Sequence, residues 1–281
     1  MIIFLDKSSG SKKYEQFTPK LGVTFDAGKG KGIYANFSKG FAPPALSAIF
    51  RKKPNSNPAE FYYNLNPGQF SNYEAGGWAS FWKNKLNMDI VLYQMIGENE
   101  LLSIRQPDNS TDYQSAGKTL HRGIEYGLTV KPSREYNFRF SGTTALHRFD
   151  DFLVSNKSTD ALKNLDGYEM PGSPRTTFNT EFTWYPKWIK NFRSALEWQH
   201  SAGWFQNQVN TVRYNGYDLL NFRMGYQWKG VEIFTNILNV TDALYATSVT
   251  RGNNATDRST FTPAAPRTFV MGLQYNFSGK K

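Results

Sequence analysis

Side chains able to do acid–base chemistry are few in this chain of 281 residues: three histidines, His121, His147 and His200, and no cysteine. A nucleophile must lie within hydrogen-bond reach of the base that activates it. Only His200 has a serine beside it, Ser201, and neighbours on an extended strand point to opposite faces. Neither Gly-x-Ser-x-Gly nor His-Glu-x-x-His occurs. The histidines are spread along the chain, and the acidic pairs Asp150 with Asp151 and Glu98 with Glu100 fall in stretches that read as solvated loops. No catalytic residue, no metal held by the protein and no cofactor is expected, and the chain does not read as an enzyme.

Binding chemistry is better represented. Arg51, Lys52 and Lys53 stand shortly before Phe61, Tyr62 and Tyr63, Trp204 adjoins Phe205, and Arg251 and Arg258 occupy a later polar stretch. Cations set beside aromatic rings suit an anionic, aromatic ligand, such as a catecholate chelate, through charge-assisted hydrogen bonds and cation–π contacts. Arg51, Lys52, Lys53, Tyr62, Tyr63, Trp204, Arg251 and Arg258 are therefore the candidate ligand contacts. In such a chelate the small molecule holds the metal, so the protein needs no metal ligands of its own.

The elements that must position these residues are legible in the closing stretch, TPAAPRTFVMGLQYNF at 262–277. Phe269, Met271, Leu273, Tyr275 and Phe277 alternate with Val270, Gly272, Gln274 and Asn276, the period of a strand with one apolar and one polar face. Ten more segments alternate in the same way, at 17–25, 32–38, 71–82, 86–96, 119–130, 136–146, 176–185, 192–200, 217–228 and 231–238. Most approach the length of about 9–11 residues expected for a tilted membrane strand. The connections alternate between short (26–31, 83–85, 131–135, 186–191, 229–230) and long (39–70, 97–118, 147–175, 201–215, 239–265). Short turns on one side and long loops on the other are the habit of outer-membrane barrels, whereas a soluble sandwich has no reason to sort its loops by end.

Composition agrees with a barrel. No run of eighteen apolar residues occurs, so no transmembrane helix is expected. Yet 16% of residues are aromatic, and barrels hide from hydropathy because lipid-facing and lumen-facing residues average out. The net charge of +10 is not spread evenly. Lys29, Lys31, Lys83, Lys85, Lys131, Arg134, Lys187, Lys190 and Lys229 fall on the short turns, against only Asp26 and Glu135. That placement suits anionic lipid headgroups at one membrane surface, not nucleic acid. No signal peptide is visible in the opening MIIFLDKSSG.

Several segments resemble the C-terminal half of TonB-dependent outer-membrane receptors, in family order. They are IYANFSKGFAPPAL at 33–46, NYEAGG at 72–77, AGKTLHRGIEYGL at 116–128, MPGSPR at 170–175, NVTDALY at 239–245 and the terminal PRTFVMGLQYNF. The resemblance implies an all-β, antiparallel transmembrane β-barrel portion, eleven strands of a twenty-two-strand barrel, with residues 1–281 forming a C-terminal fragment of the barrel domain. Nothing in it resembles the plug domain or the TonB box, and both are read as absent. The implied function is that of a siderophore-receptor-like transporter in the cell outer membrane of a Gram-negative-type bacterium, taking up a ferric siderophore or similar bulky nutrient. The implied partners are that nutrient, outer-membrane lipid and lipopolysaccharide, and the TonB complex acting only through the missing plug. The alternatives are a complete small outer-membrane pore or adhesin barrel, or an outer-membrane barrel enzyme.

Overall fold

The structure, a computed structural model, describes residues 12–56, 60–62, 64–106, 108, 110–160 and 163–275. Eleven strands form one antiparallel sheet in chain order: β1 (Lys20–Gly28), β2 (Lys31–Ala42), β3 (Gly68–Phe81), β4 (Leu86–Arg105), β5 (Thr111–Val130), β6 (Tyr136–Asp151), β7 (Thr176–Trp184), β8 (Phe192–Phe205), β9 (Arg213–Trp228), β10 (Val231–Leu238) and β13 (Thr268–Tyr275). A short helix, α1 (Leu46–Ile49), lies between β2 and β3, and a separate hairpin of β11 (Ala246–Thr250) and β12 (Thr260–Pro263) interrupts the connection from β10 to β13. The sheet is open, because β1 and β13 are its two ends and do not pair with each other.

Register sorts the side chains onto two faces. Across the β9–β10 turn, Trp228 pairs with Val231, Tyr226 with Ile233 and Phe222 with Ile237, while Gln227 pairs with Glu232. The apolar row continues through Phe269, Met271 and Leu273 on β13, all at least two-thirds exposed. The polar side chains are the buried ones: Glu181 is 9% exposed and Glu197 and Asn221 are 6% exposed each. A curved sheet crowds its concave side, so this inside-out distribution places the polar row within the curve and the apolar row outside. Glu125, Glu181, Arg193, Arg223 and Gln274 all lie on the polar face by register.

The inner wall is held by a charge ladder. Arg139 reaches Glu181 at 2.6 Å, and Arg223 reaches Glu181 at 2.9 Å and also Glu197. Asn179 and Asn221 donate to the same Glu197 at 2.6 and 2.9 Å, so both carboxylates are fully engaged. On the outer face the short-turn ends carry aromatics. Trp228 is 59% exposed beneath Lys229, Phe81 lies under Lys31 at 4.4 Å, and Trp188 and Trp82 are 75% and 70% exposed. These are the positions of an interfacial girdle. The Lys229–Gly230 turn works because both residues take positive φ, 46° and 86°, as a two-residue type I′ turn demands.

The structure corrects several expected boundaries. The first strand runs over Lys20–Gly28 instead of 17–25, and β2 over Lys31–Ala42 instead of 32–38. Much of the long loop expected at 97–118 is strand, since β4 and β5 are 20 residues each and stay paired to Arg105 and Thr111 across register shifts at Gly97 and Glu100. That extension lacks the long outward apolar row of the lower strands, so periodicity does not betray it; backbone pairing and the buried Leu102 and Ile104 carry it. The β11–β12 hairpin falls within the expected loop at 239–265. Phe277 lies outside the described residues, as does Tyr63.

Candidate functional site

At the long-loop end, the upper parts of β7, β8 and β9 and the β11–β12 hairpin enclose a cavity of about 830 Å³. Its wall is built from the inward rows of the strands, Thr177, Asn179, Gln199, Ser201 and Tyr217, and closed by Thr247–Arg251. Trp204, 5% exposed, anchors this arrangement by packing on Ala246 and Val249 and against Tyr214 and Tyr217, with ring centroids 4.7 and 6.5 Å away. Arg251 is fixed by its backbone N–H, donated to Gln206 O at 3.0 Å, and by Nη2, donated to Ala255 O at 2.8 Å. Both residues line the cavity and both keep a buried donor without a hydrogen-bond partner, Trp204 Nε1 and Arg251 Nε. A buried donor left unpaired costs about 1–3 kcal/mol, so such donors gain from a ligand that brings acceptors. The lining contains no Asp, Glu or Lys; its polar groups are amides, hydroxyls, Arg251 and the largely outward-facing His200, set among aromatic rings, two prolines and Val249.

The other expected contacts do not join this cavity. Arg51 donates from Nη1 to the Tyr113 hydroxyl at 2.5 Å and stacks over that ring at 4.8 Å. Lys53 pairs with Glu60 at 3.5 Å, and its ammonium lies 5.8 Å from the Tyr62 ring. Lys52 bridges backbone to Phe61. Tyr62 is 4% exposed and forms a small core with Ala48 and Leu65, capped by Tyr113. Burial, together with its hydrogen bond to Asp112, pushes the Tyr62 phenol up to about 12. The cations and rings of 51–62 are thus consumed in holding the β2–β3 loop to the β4–β5 hairpin. Arg258 is exposed in the β11–β12 connection, away from the cavity lining. Of the eight candidates, Trp204 and Arg251 are the pair that lines the cavity, while Arg51, Lys53 and Tyr62 of the β2–β3 loop gather about Tyr113.

Sequence reasoning missed three features. First, two of the histidines that are distant in sequence meet across β5 and β6, with His121 Nδ1 2.8 Å from His147 Nδ1. Thr119 Oγ1 donates to Glu100 and lies 3.0 Å from His121 Nε2. That chain assigns His121 as the Nε2–H tautomer and His147 as the Nδ1–H tautomer, leaving His147 Nε2 as an acceptor. Second, Glu169 forms a bidentate pair with Arg175, at 2.8 Å from Nε and 2.5 Å from Nη2, which holds the Glu169 carboxyl below its usual range. Third, the NVTDALY stretch is structural: Asn239 is 3% exposed, exchanges two 2.9 Å bonds with the Ala243 backbone and donates its own backbone N–H to Asn221 Oδ1. No local signal exists for the first two, which depend on register across strands; the Asn–x–x–Asp spacing is a turn signal that points to the third.

Nothing supports catalysis at His200. It meets Asp218 at 2.8 Å on the outer face, where Trp198 Nε1 donates to the same oxygen, while Ser201 faces inward with Tyr217. Among the described residues no group of three or more His, Asp or Glu is arranged to hold a metal ion.

The family of β-barrels described as TonB-dependent receptor-like matches residues 4–240. Among solved structures, the siderophore receptor PiuA from Acinetobacter baumannii is 20% identical, superposes with a TM-score of 0.72, and matches over 96% of this chain and 38% of its own. The ferric yersiniabactin uptake receptor FyuA from Yersinia pestis is 15% identical with a TM-score of 0.70, over 92% of this chain and 37% of its own. The ferric-catecholate import receptor Fiu from K12 E. coli, in its closed form, is 15% identical with a TM-score of 0.68, over 92% and 34%. At these identities the likeness is one of fold, and the chain spans well under half the length of each of these proteins.

Proposed function

The chain belongs to the TonB-dependent receptor-like β-barrel family, a family of outer-membrane receptors and not of enzymes, and from that premise we propose that it forms the ligand-binding part of the wall of a receptor for a ferric siderophore. The observation that carries the reading is the cavity at the long-loop end, with its two orphaned donors, its aromatic wall and its lack of carboxylates. An iron chelate built from catecholate or related oxygen donors presents a ring of anionic acceptors and flat apolar faces. Arg251 supplies a charge-assisted donor to the first, and Trp204 and Tyr217 supply surface to the second. The names of the superposing proteins, which include siderophore, ferric-catecholate and ferric yersiniabactin receptors, favour the same class.

The remainder of the reading concerns how the wall is used. An open eleven-strand sheet leaves two unpaired edges, which lipid does not tolerate, so these strands form the C-terminal part of a larger closed barrel. The polar concave face then borders a lumen. Glu74, Asp89 and Glu125 stand within electrostatic range of Tyr34 on that face, an acidic strip suited to a basic surface of a plug supplied by another part of the receptor. Energy reaches the cargo through TonB acting on that plug, and this chain contributes wall and binding loops.

The test is the affinity of the intact receptor for ferric catecholate and hydroxamate chelates, by fluorescence quenching. Arg251→Gln with Trp204→Phe removes both orphaned donors at some loss of volume, so folding of the hairpin is verified alongside by protease resistance. Each charge-assisted or buried contact is worth roughly 1–3 kcal/mol, so the double variant is expected to lose about one hundred-fold in affinity. Unchanged affinity for every chelate tested sinks the site.

A further inference from the structure

On the outer face, the paired rows of β3 to β10 are largely uncharged between the short-turn aromatics and the long-loop ends; Asp218 on β9 is partnered by His200 and Trp198, whereas a cation midway round the sheet has no such partner in register. Arg122 on β5 stands exposed in an outward row, between Gln94 on β4 and Leu146 on β6. Together with Leu92, Ile124 and Arg175 these side chains line a shallow groove of about 510 Å³ whose walls are mostly apolar. Resting on the reading of this face as lipid-facing, we propose that the groove is a binding site for the phosphorylated head and first acyl segment of an outer-leaflet glycolipid, with Arg122 as the principal cation and Arg175 as a pre-positioned second donor.

Position supports the occupant. Arg122 lies eight residues above Val130, the residue at the short-turn end of its strand. At a rise of about 3.3 Å per residue and a tilt of about 45°, that is roughly 19 Å above the lower girdle. An arginine there, snorkelling toward the long-loop side, reaches the outer headgroup layer instead of the midplane. A cation is costly at the midplane of a barrel's lipid face and nearly free near the interface, so the height is tolerable and a phosphate partner makes it favourable. The in-register neighbours of Arg122 offer no carboxylate, only an amide and a hydrocarbon. Arg175 differs, since Glu169 takes its Nε and one Nη2 hydrogen; that clamp fixes the guanidinium and leaves Nη1 donors for a second anion. Two guanidiniums over Leu92, Ile124 and Leu146 make an amphiphilic pocket: anion above, hydrocarbon below. The Gln94 amide supplies a polar contact for a sugar, and for this reason the occupant is a phosphorylated glycolipid in preference to a glycerophospholipid.

The probe is purified diphosphoryl lipid A, added to the intact protein in detergent and read by native mass spectrometry, with its monophosphoryl and phosphate-free forms and phosphatidylglycerol as comparators. Binding is expected to follow phosphate number, to weaken in salt, and to fall at least ten-fold with Arg122→Gln and further with Arg122→Gln and Arg175→Gln together. Lys229→Gln, in the opposite girdle, is expected to weaken binding far less than Arg122→Gln, and an equal loss overturns the site. Retained affinity in Arg122→Gln with strand circular dichroism intact overturns the site, as does equal binding of the phosphate-free form. Equal competition by phosphatidylglycerol overturns the glycolipid assignment. Loss of all lipid A binding in a protein that still fractionates with the outer membrane condemns the groove alone; failure to fractionate there condemns the membrane reading as well.

Discussion

At the level of single residues, charge on the inner wall is engaged in the structure, and removing one partner exposes what the others cost. Glu181 and Glu197 share Arg223, and both carboxylates are nearly inaccessible to water. Arg223→Met leaves Glu197 without a cation and Glu181 with Arg139 alone. A fully buried pair broken in this way costs about 3–5 kcal/mol; the partial exposure of Arg223 reduces the expectation to roughly 2 kcal/mol. The readout is a lower unfolding temperature in the heat-modified electrophoretic shift, with Glu197→Gln, which keeps its amide partners, less affected. Tyr62 gives a pH-dependent counterpart. Its phenol is raised from 10.0 to about 12, so the folded state holds the proton more tightly than the unfolded chain. The stabilisation is therefore complete below about pH 10 and is lost as pH rises toward 12. Difference absorbance at alkaline pH is expected to show one tyrosine ionising last, and Tyr62→Phe to abolish that step; a single homogeneous titration contradicts it. None of this energetics was legible in sequence. The run of cations before Phe61 and Tyr62 reads as a ligand surface, and only the fold shows Arg51 spent on Tyr113 and Tyr62 spent on a core.

At the level of elements, the sheet was legible and its extensions were not. Alternation marks a strand only where its two faces meet different solvents. Val231–Leu238 carries a mostly apolar row on its outer side and a more polar one on its inner side, and its bounds coincide with the alternating segment. The upper halves of β4 and β5 bury Leu102 and Ile104 on one side but lack the long alternating apolar row of the lower strands, so their pattern does not separate them from loop. The β10–β11 connection shows a different rule, with turn chemistry visible and its purpose hidden. Asn239 takes a φ of 51° and uses its amide to close the turn on Ala243 while standing over Asn221 on β9. Asn239→Ala deletes at least two buried bonds of about 1 kcal/mol each and places alanine in the left-handed region at about 1 kcal/mol more. The expected loss is about 3 kcal/mol, seen first as protease cleavage between β10 and β11, because the β11–β12 hairpin and the cavity it covers depend on that turn. An Asn239→Asp variant, which retains the acceptor to the Ala243 N–H, is expected to resist cleavage better.

At the level of the whole molecule, the apolar surface is outside and the polar surface within, and this inversion has a direct consequence for the seven tryptophans. Trp198 and Trp228 belong to the outward rows, 43% and 59% exposed, at different heights. Trp78 lies on the inward face, where its ring fills the space over Gly32 that any larger residue would occupy, and Trp204 is buried behind the hairpin. A soluble sandwich of the same sequence would bury the first pair and expose the second. Reconstituted in vesicles whose lipids carry bromine on the acyl chain, single-tryptophan variants of the intact protein are therefore expected to divide into two classes. Fluorescence from Trp198 and Trp228 is quenched by bromine, because bromine quenches on contact and these rings touch chains. Fluorescence from Trp78 and Trp204 is unchanged by it, whatever the bromine depth. Within the first class, depth discriminates further. Trp228 sits at a short turn beside Lys229, which lies 5.0 Å from its ring centroid, and is quenched best by bromine near the headgroup. Trp198, six residues above Phe192 on its strand, responds best to bromine farther along the chain. Quenching of Trp204 equal to that of Trp228 contradicts the orientation of the sheet, and with it the cavity's position inside the barrel.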